Sequence, residues 1–226
     1  MTTQPTRTIV SRRARPAKDP LSRELIVATA LELLQKEGSA GLSMRKIAKA
    51  LDTGPSSLYV YVANMQELSS YVLDLGLAGI ALPASDAGSW QTRLFDALSS
   101  YLLALYDAPG VAELALTTVS VGPHALAFTE YLLQCLHEGG VSSLSAAWGV
   151  DLLMLYATSV AFEQSSRDAR GTTIQTHLAA MAALDPQQYP RIASSHADLI
   201  SGSVDGMERF RWGLDVILQG IMKKEG

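Results

Sequence analysis

The side chains best equipped for covalent or metal chemistry are one cysteine, Cys135, and four histidines, His124, His137, His177 and His196. Their spacing serves neither purpose. Cys135 and His137 stand two apart, which on a helix turns them to different faces. The other imidazoles are scattered, with no carboxylate at ligand spacing. The chain has no Gly-x-Ser-x-Gly, no glycine-rich phosphate loop and no His-Glu-x-x-His. Catalytic residues, a metal site and a cofactor are therefore not expected, and the sequence does not read as an enzyme.

The chemistry that remains is recognition, and it is concentrated in residues 42–68, LSMRKIAKALDTGPSSLYVYVANMQEL. Ser43, Arg45, Ser56, Ser57, Tyr59 and Tyr61 are hydrogen-bond donors suited to phosphate oxygens, and small residues at the start of a helix let its backbone approach a duplex closely. These side chains need elements to present them. Ser22 is placed to cap a helix whose apolar positions Ile26, Ala30, Leu33 and Leu34 recur at helical spacing, with Gly38 as its stop. Ser43 is placed to cap a second, with Met44, Ile47, Ala48 and Leu51 inward and Arg45, Lys46 and Lys49 outward. Asp52, Thr53 and Gly54 form a short turn, and Pro55 suits the first position of a third helix over 55–61. Asn64 then caps a fourth, carrying Leu68, Val72 and Leu75 inward. Two helices joined by so short a turn are a helix-turn-helix, whose second helix can lie in a major groove. The bland alternative is a helical hairpin whose tyrosines are only core.

The stretch 22–75 resembles the TetR family of bacterial transcriptional repressors. The matching residues are Leu42-Ser43, Arg45, Ile47-Ala48, Leu58-Tyr59, Val62, Asn64 and Leu68. A second match, residues 209–218 (RFRWGLDVIL), is similar to the last helix of the tetracycline-repressor-like branch. The resemblance implies an all-α fold: an N-terminal three-helix helix-turn-helix DNA-binding domain, and a C-terminal helical domain for ligand binding and dimerisation. It also implies a bacterial, cytoplasmic repressor and double-stranded DNA carrying a pseudo-palindromic operator as partner. Pro55 and Met65 join the DNA-facing residues on this likeness. The departures are Asp52 where the family usually has Gly, Thr53 for Val or Ile, Tyr61 for a frequent His, and Met65 for a usual Lys. With Met65 there, one phosphate contact falls to backbone N–H groups.

Charge distribution agrees. Residues 1–68 hold ten Lys and Arg against six Asp and Glu, whereas residues 69–226 hold eight against sixteen. A basic head on an acidic body is the footprint of phosphate binding, hidden in a net charge of −4. The expected division is 1–18, a disordered basic arm; 19–68, the helix-turn-helix domain; and 69–226, the ligand-binding and dimerisation domain. The arm, with five basic residues and no acid, either adds phosphate contacts or is merely solvated. No apolar run follows its arginines, so a signal peptide is not expected. The lone cysteine fits a reducing cytoplasm. No run approaches the ~18 apolar residues of a membrane span, and the most apolar stretch, 139–162, has Asp151 at its centre.

The body reads as helices over 89–107, 123–138, 142–165, 172–184 and 206–224, with 187–205 as a loop. None of it alternates with the two-residue period of a strand. Phe95, Tyr101, Phe128, Tyr131, Trp148, Tyr156 and Phe162, with Met154, are candidates to line a mainly apolar small-molecule pocket, with His124 and Glu163 as polar anchors. Each would serve equally as ordinary core. The helices 142–165 and 206–224 carry more apolar surface than one core needs. Leu152, Leu155, Phe210, Leu214, Ile217 and Leu218 are the candidates for a homodimer, which the resemblance pictures as a four-helix bundle. The tetracycline-responsive members hold a magnesium–drug chelate with imidazoles. Counting from Leu58-Tyr59, the first such position is Ala81 and no histidine falls near the second, in 113–121, so the resemblance argues against tetracycline and its metal. The effector is thus an unidentified small apolar or amphipathic molecule. The alternative is a DNA-binding regulator without one, architectural or relieved by a protein partner.

Overall fold

The computed structural model describes residues 20–169, 171, 180, 181, 183–201 and 206–223, and the basic arm lies outside them. Every regular element among them is helical.

The head is built as the local signals dictate. Helix α1 (Arg23–Glu37) starts where Ser22 Oγ accepts a hydrogen bond from Leu25 N–H at 3.1 Å. It stops at Gly38, whose φ of 66° is the left-handed conformation that glycine adopts without strain. A single 3₁₀ turn (Gly38–Gly41) follows. There Gly41 packs so closely on the Leu33 carbonyl that no Cβ fits. Helix α2 (Met44–Ala50) is capped by Ser43 Oγ on Lys46 N–H and buries Met44, Ile47 and Ala48. Asp52 takes the sharp turn at φ 49°, a left-handed position that aspartate tolerates better than most side chains. Helix α3 (Pro55–Leu58) is shorter than the expected 55–61. Tyr61 N–H bonds Leu58 O three residues back, so the chain tightens into a turn and carries Tyr59 to Tyr61 off the helix end. Helix α4 (Met65–Gly76) opens on a reciprocal cap: Asn64 Oδ1 accepts from Glu67 N–H at 2.9 Å, and the Glu67 carboxylate accepts from Ala63 N–H. The Ala63 N–H, and after it the Tyr71 hydroxyl, hold the Glu67 carboxyl below its ordinary range. The expected domain boundary after Leu68 falls inside α4, so one helix belongs to both head and body.

The body comprises α5 (Trp90–Tyr106), α6 (Pro109–Thr117), α7 (Pro123–Glu138), α8 (Ser143–Ala169), α9 (Pro190–Ser201) and α10 (Gly206–Lys223). Helix α8 is the axis, packed by α5, α6, α7 and α10. Its stretch Ser143–Asp168 is long and apolar enough to cross a membrane by length and composition. Yet it buries Ala146, Val150, Leu153, Ala157 and Ala161 within the protein, as a core helix does. Two expectations are corrected. Residues 190–201 of the expected loop are helical, because Pro190 starts α9 at a position where proline's missing N–H is harmless. Helix α6 was not foreseen, its nine residues being too short for a clear period. The expected helix 172–184 lies mostly outside the described residues.

Candidate nucleic-acid interface and the body behind it

The helix-turn-helix buries its apolar face completely: Ile47, Leu58 and Leu68 are fully enclosed, with Ile26, Ala30 and Leu34 of α1 beneath them. What is left outward is the candidate reading surface. Arg45, Lys49, Pro55 and Ser56 are exposed, and Tyr59 is 54% exposed. Ser43 and Ser57 are half-buried, and Ser43 holds the α2 cap. Lys46 pairs with Glu37 at 2.6 Å and draws that carboxyl below its ordinary range.

Two expected DNA-facing residues lean inward. Tyr61 and Met65 are half-buried and pack on the core, and the Tyr61 carbonyl accepts from Arg23 Nε. A residue missed from sequence stands beside them: Val60, 79% exposed at the tip of the turn. A β-branched side chain so exposed suits apolar contact with a thymine methyl, but local pattern gives no sign that the turn would evict it.

In the body, the expected pocket residues divide into groups. Tyr101 and Phe128 stack with centroids 4.9 Å apart. The Tyr101 hydroxyl lies 2.8 Å from Thr158 Oγ1, which itself donates to Met154 O, so Tyr101 is the donor. Burial pushes the Tyr101 phenol above its ordinary range. Phe95, Tyr131 and Phe162 are half-buried against the same core, and Tyr131 donates to Pro83 O at 2.8 Å. Tyr156 belongs elsewhere, stacked on Phe210 at 5.6 Å where α10 meets α8. Trp148 is 69% exposed and stands on the outer face of α8, away from the core. The expected polar anchors already have partners: His124 pairs with Asp74, and Glu163 pairs with Arg167 and Arg209.

The expected dimerisation residues divide between exposed and buried positions. Leu152 and Leu155 are exposed, in line with Leu144 and Trp148 down one face of α8. Phe210, Leu214 and Leu218, however, are buried in their own protomer, and Ile217 is half-buried. The reason is close approach. Gly213 leaves room for the Tyr156 hydroxyl, and Gly149 leaves room for Ile221, so α10 lays its main apolar stripe onto α8. Its other face exposes Trp212 (69%) and Val216.

A magnesium–drug chelate does not fit these residues. The Ala81 N–H is bonded to Ser100 Oγ, residues 113–121 hold no imidazole, and no group of three or more His, Cys, Asp or Glu among the described residues could hold a metal.

Comparison with known proteins places both halves. Residues 26–72 match the bacterial regulatory proteins of the tetR family, and residues 82–224 match the tetracyclin repressor-like C-terminal domain. An HTH-type transcriptional regulator of Saccharopolyspora erythraea is 30% identical over 214 residues, 92% of this chain and 88% of that one. The HTH-type transcriptional repressor DrrR1 of Streptomyces coeruleorubidus is 28% identical over 92% of this chain and 80% of its own length. Among solved structures, the TetR family protein ActR of Streptomyces coelicolor in complex with (S)-DNPA superposes with a TM-score of 0.81 at 32% identity, covering 92% of this chain and all of that one. ActR has also been solved in complex with actinorhodin.

Proposed function

The chain belongs to the tetR family of bacterial regulatory proteins, and from that premise we propose that this transcriptional regulator is a homodimeric repressor, released from a pseudo-palindromic operator by a small apolar or amphipathic molecule. The observation that carries the reading is the unbroken packing between reading surface and body. Helix α1 packs on both α4 and α6, and α4 packs on α6 and α7. A change in the body therefore has no soft joint in which to dissipate before it reaches the head. ActR, solved with (S)-DNPA and with actinorhodin, supports a small-molecule effector.

The mechanism is a population shift. A ligand that prefers the body shape in which the heads are wrongly spaced draws the dimer off the operator, by no more than its differential affinity for the two shapes. Dimerisation through Leu144, Trp148, Leu152, Leu155, Trp212 and Val216 sets the two reading surfaces about 34–36 Å apart or at a small multiple of a helical turn.

Gel-shift on the protein's own promoter region, at low salt and with actinorhodin as probe, tests the reading. A specific shift that the probe reverses is expected, whereas no shift on any promoter fragment sinks it. Within the same assay, Arg45→Ala should weaken binding about tenfold and flatten the salt dependence by about one unit of slope. Tyr59→Phe, which removes one hydroxyl and keeps the ring, should give a smaller loss of a few-fold at unchanged melting temperature. Equal affinity in both variants would move the reading surface away from α2 and the α3 turn.

A further inference from the structure

Asp74, in the last turn of α4, is buried, and both its carboxylate oxygens are used. Oδ1 accepts from the backbone N–H of Ala125 at 2.9 Å, and Oδ2 lies 2.9 Å from His124 Nδ1. Both partners belong to the first turn of α7, fifty residues away. Helix α7 has no cap of its own. Its N-cap is Gly122, which has no side chain, and Pro123 follows at the first helical position. A helix start leaves N–H groups without intrahelical partners and favours negative charge. Here both needs are met by a carboxylate from another helix.

The approach is built in. A Cβ on Gly122 would land on the Asp74 carboxylate, so only glycine lets α4 come this close. A second tie runs alongside: Ser120 Oγ donates to Ser70 O of α4 at 3.2 Å and accepts from Gly122 N–H at 3.3 Å. The other end of α4 is fixed in the head through its Asn64 cap and the fully buried Leu68.

We propose that Asp74 is a latch, a positioning residue that sets the angle of the head on the body by capping α7 from α4. While the latch holds, α4 and the start of α7 move together, so a displacement of α7 is passed to the head. When it opens, two buried acceptors and the α7 N–H lose their partners together, which makes the head angle a choice between discrete states. This deepens the repressor reading, in that its regulatory meaning rests on head spacing, but the latch itself is testable without DNA or effector.

Spin labels on E32C of α1 and E130C of α7, both exposed sites with the native Cys135 buried, report the head-to-body distance within a protomer when labelled protein is diluted into unlabelled. In the full chain one narrow distribution is expected. D74L, of similar volume but without acceptors, should broaden it, and D74N, which keeps an acceptor for Ala125 N–H, should restore it. Should D74L fail to fold, G122A serves instead, since its methyl group forces the carboxylate off α7 while leaving the core apolar residues untouched. On a promoter fragment, D74L should lose operator affinity about tenfold or more, yet keep its affinity for a scrambled duplex within about twofold, because phosphate attraction needs no head spacing. A merely structural loss would lower both. A native, narrow distribution in folded D74L or G122A overturns the latch, as does equal broadening in D74N. Failure of the wild type to bind any promoter would overturn the repressor reading and leave the distance result standing.

Discussion

Trp148→Glu should yield a folded monomer whose operator affinity is lower by about 100-fold or more, the equivalent of at least ~2.7 kcal/mol. Trp148 and Trp212 are each 69% exposed in the protomer, and Leu144, Leu152, Leu155 and Val216 are exposed as well. An indole covers about 150–250 Å² when buried, of which about two-thirds is still exposed in the protomer, and at ~25 cal/mol per Å² that is about 2.5–4.5 kcal/mol before the entropy of association is subtracted. Across a two-fold axis each substitution acts twice. The new carboxylate would also lie one turn from the exposed Asp151, so closing the interface would bring like charges together. Light scattering should report half the native mass while circular dichroism stays native. Leu214→Glu is the contrast. It places a charge in the protomer's own core, where Leu214 is fully buried, and should lose the fold along with the dimer. A native dimer in Trp148→Glu would remove the α8–α10 face as the interface.

That contrast marks where the sequence stops being readable. The head was legible because its determinants are local: Ser22, Ser43 and Asn64 cap within three residues of themselves, and Ile26, Ala30 and Leu34 or Met44, Ile47 and Leu51 repeat with the helical period. In α10 the period is as clear, but an amphipathic stripe is equally satisfied by its own protomer or by a second copy. The choice was made by Gly213 and Gly149, whose partners Tyr156 and Ile221 lie on the facing helix. Trp148 reads as a pocket aromatic in sequence because α8 is apolar nearly all round, and only packing shows which side faces out. Nothing near Asp74 in sequence marks it as a cap, since the helix it caps begins about fifty residues later.

Gly110→Val should separate operator binding from DNA affinity in general. Gly110, in the first turn of α6, is a close contact between the body and α1: a Cβ there would stand 2.7 Å from both Leu34 Cδ1 and the Leu34 carbonyl oxygen. Leu34 is itself buried at the centre of the head. Beside the contact lies a small apolar cleft of about 90 Å³, lined by Leu34, Ser39 and Leu42 from the head and by Gly110, Glu113, Leu114 and Thr117 from α6. A valine cannot enter this contact without pushing α1 from α6, and the cleft gives the head somewhere to tilt. Overpacking of this kind costs about 1–3 kcal/mol, which for a chain of this size lowers the melting temperature by roughly 2–12 °C. The reading surface itself is untouched, so affinity for a scrambled duplex should stay within about twofold, while operator affinity should fall about tenfold or more as the heads lose their spacing. Gly79→Val is the control, because nothing stands within 4 Å of a Cβ at Gly79. It should leave both affinities and the melting temperature near native. If Gly110→Val melts early yet holds its operator as the wild type does, the α1–α6 contact stabilises the fold without setting the position of the head.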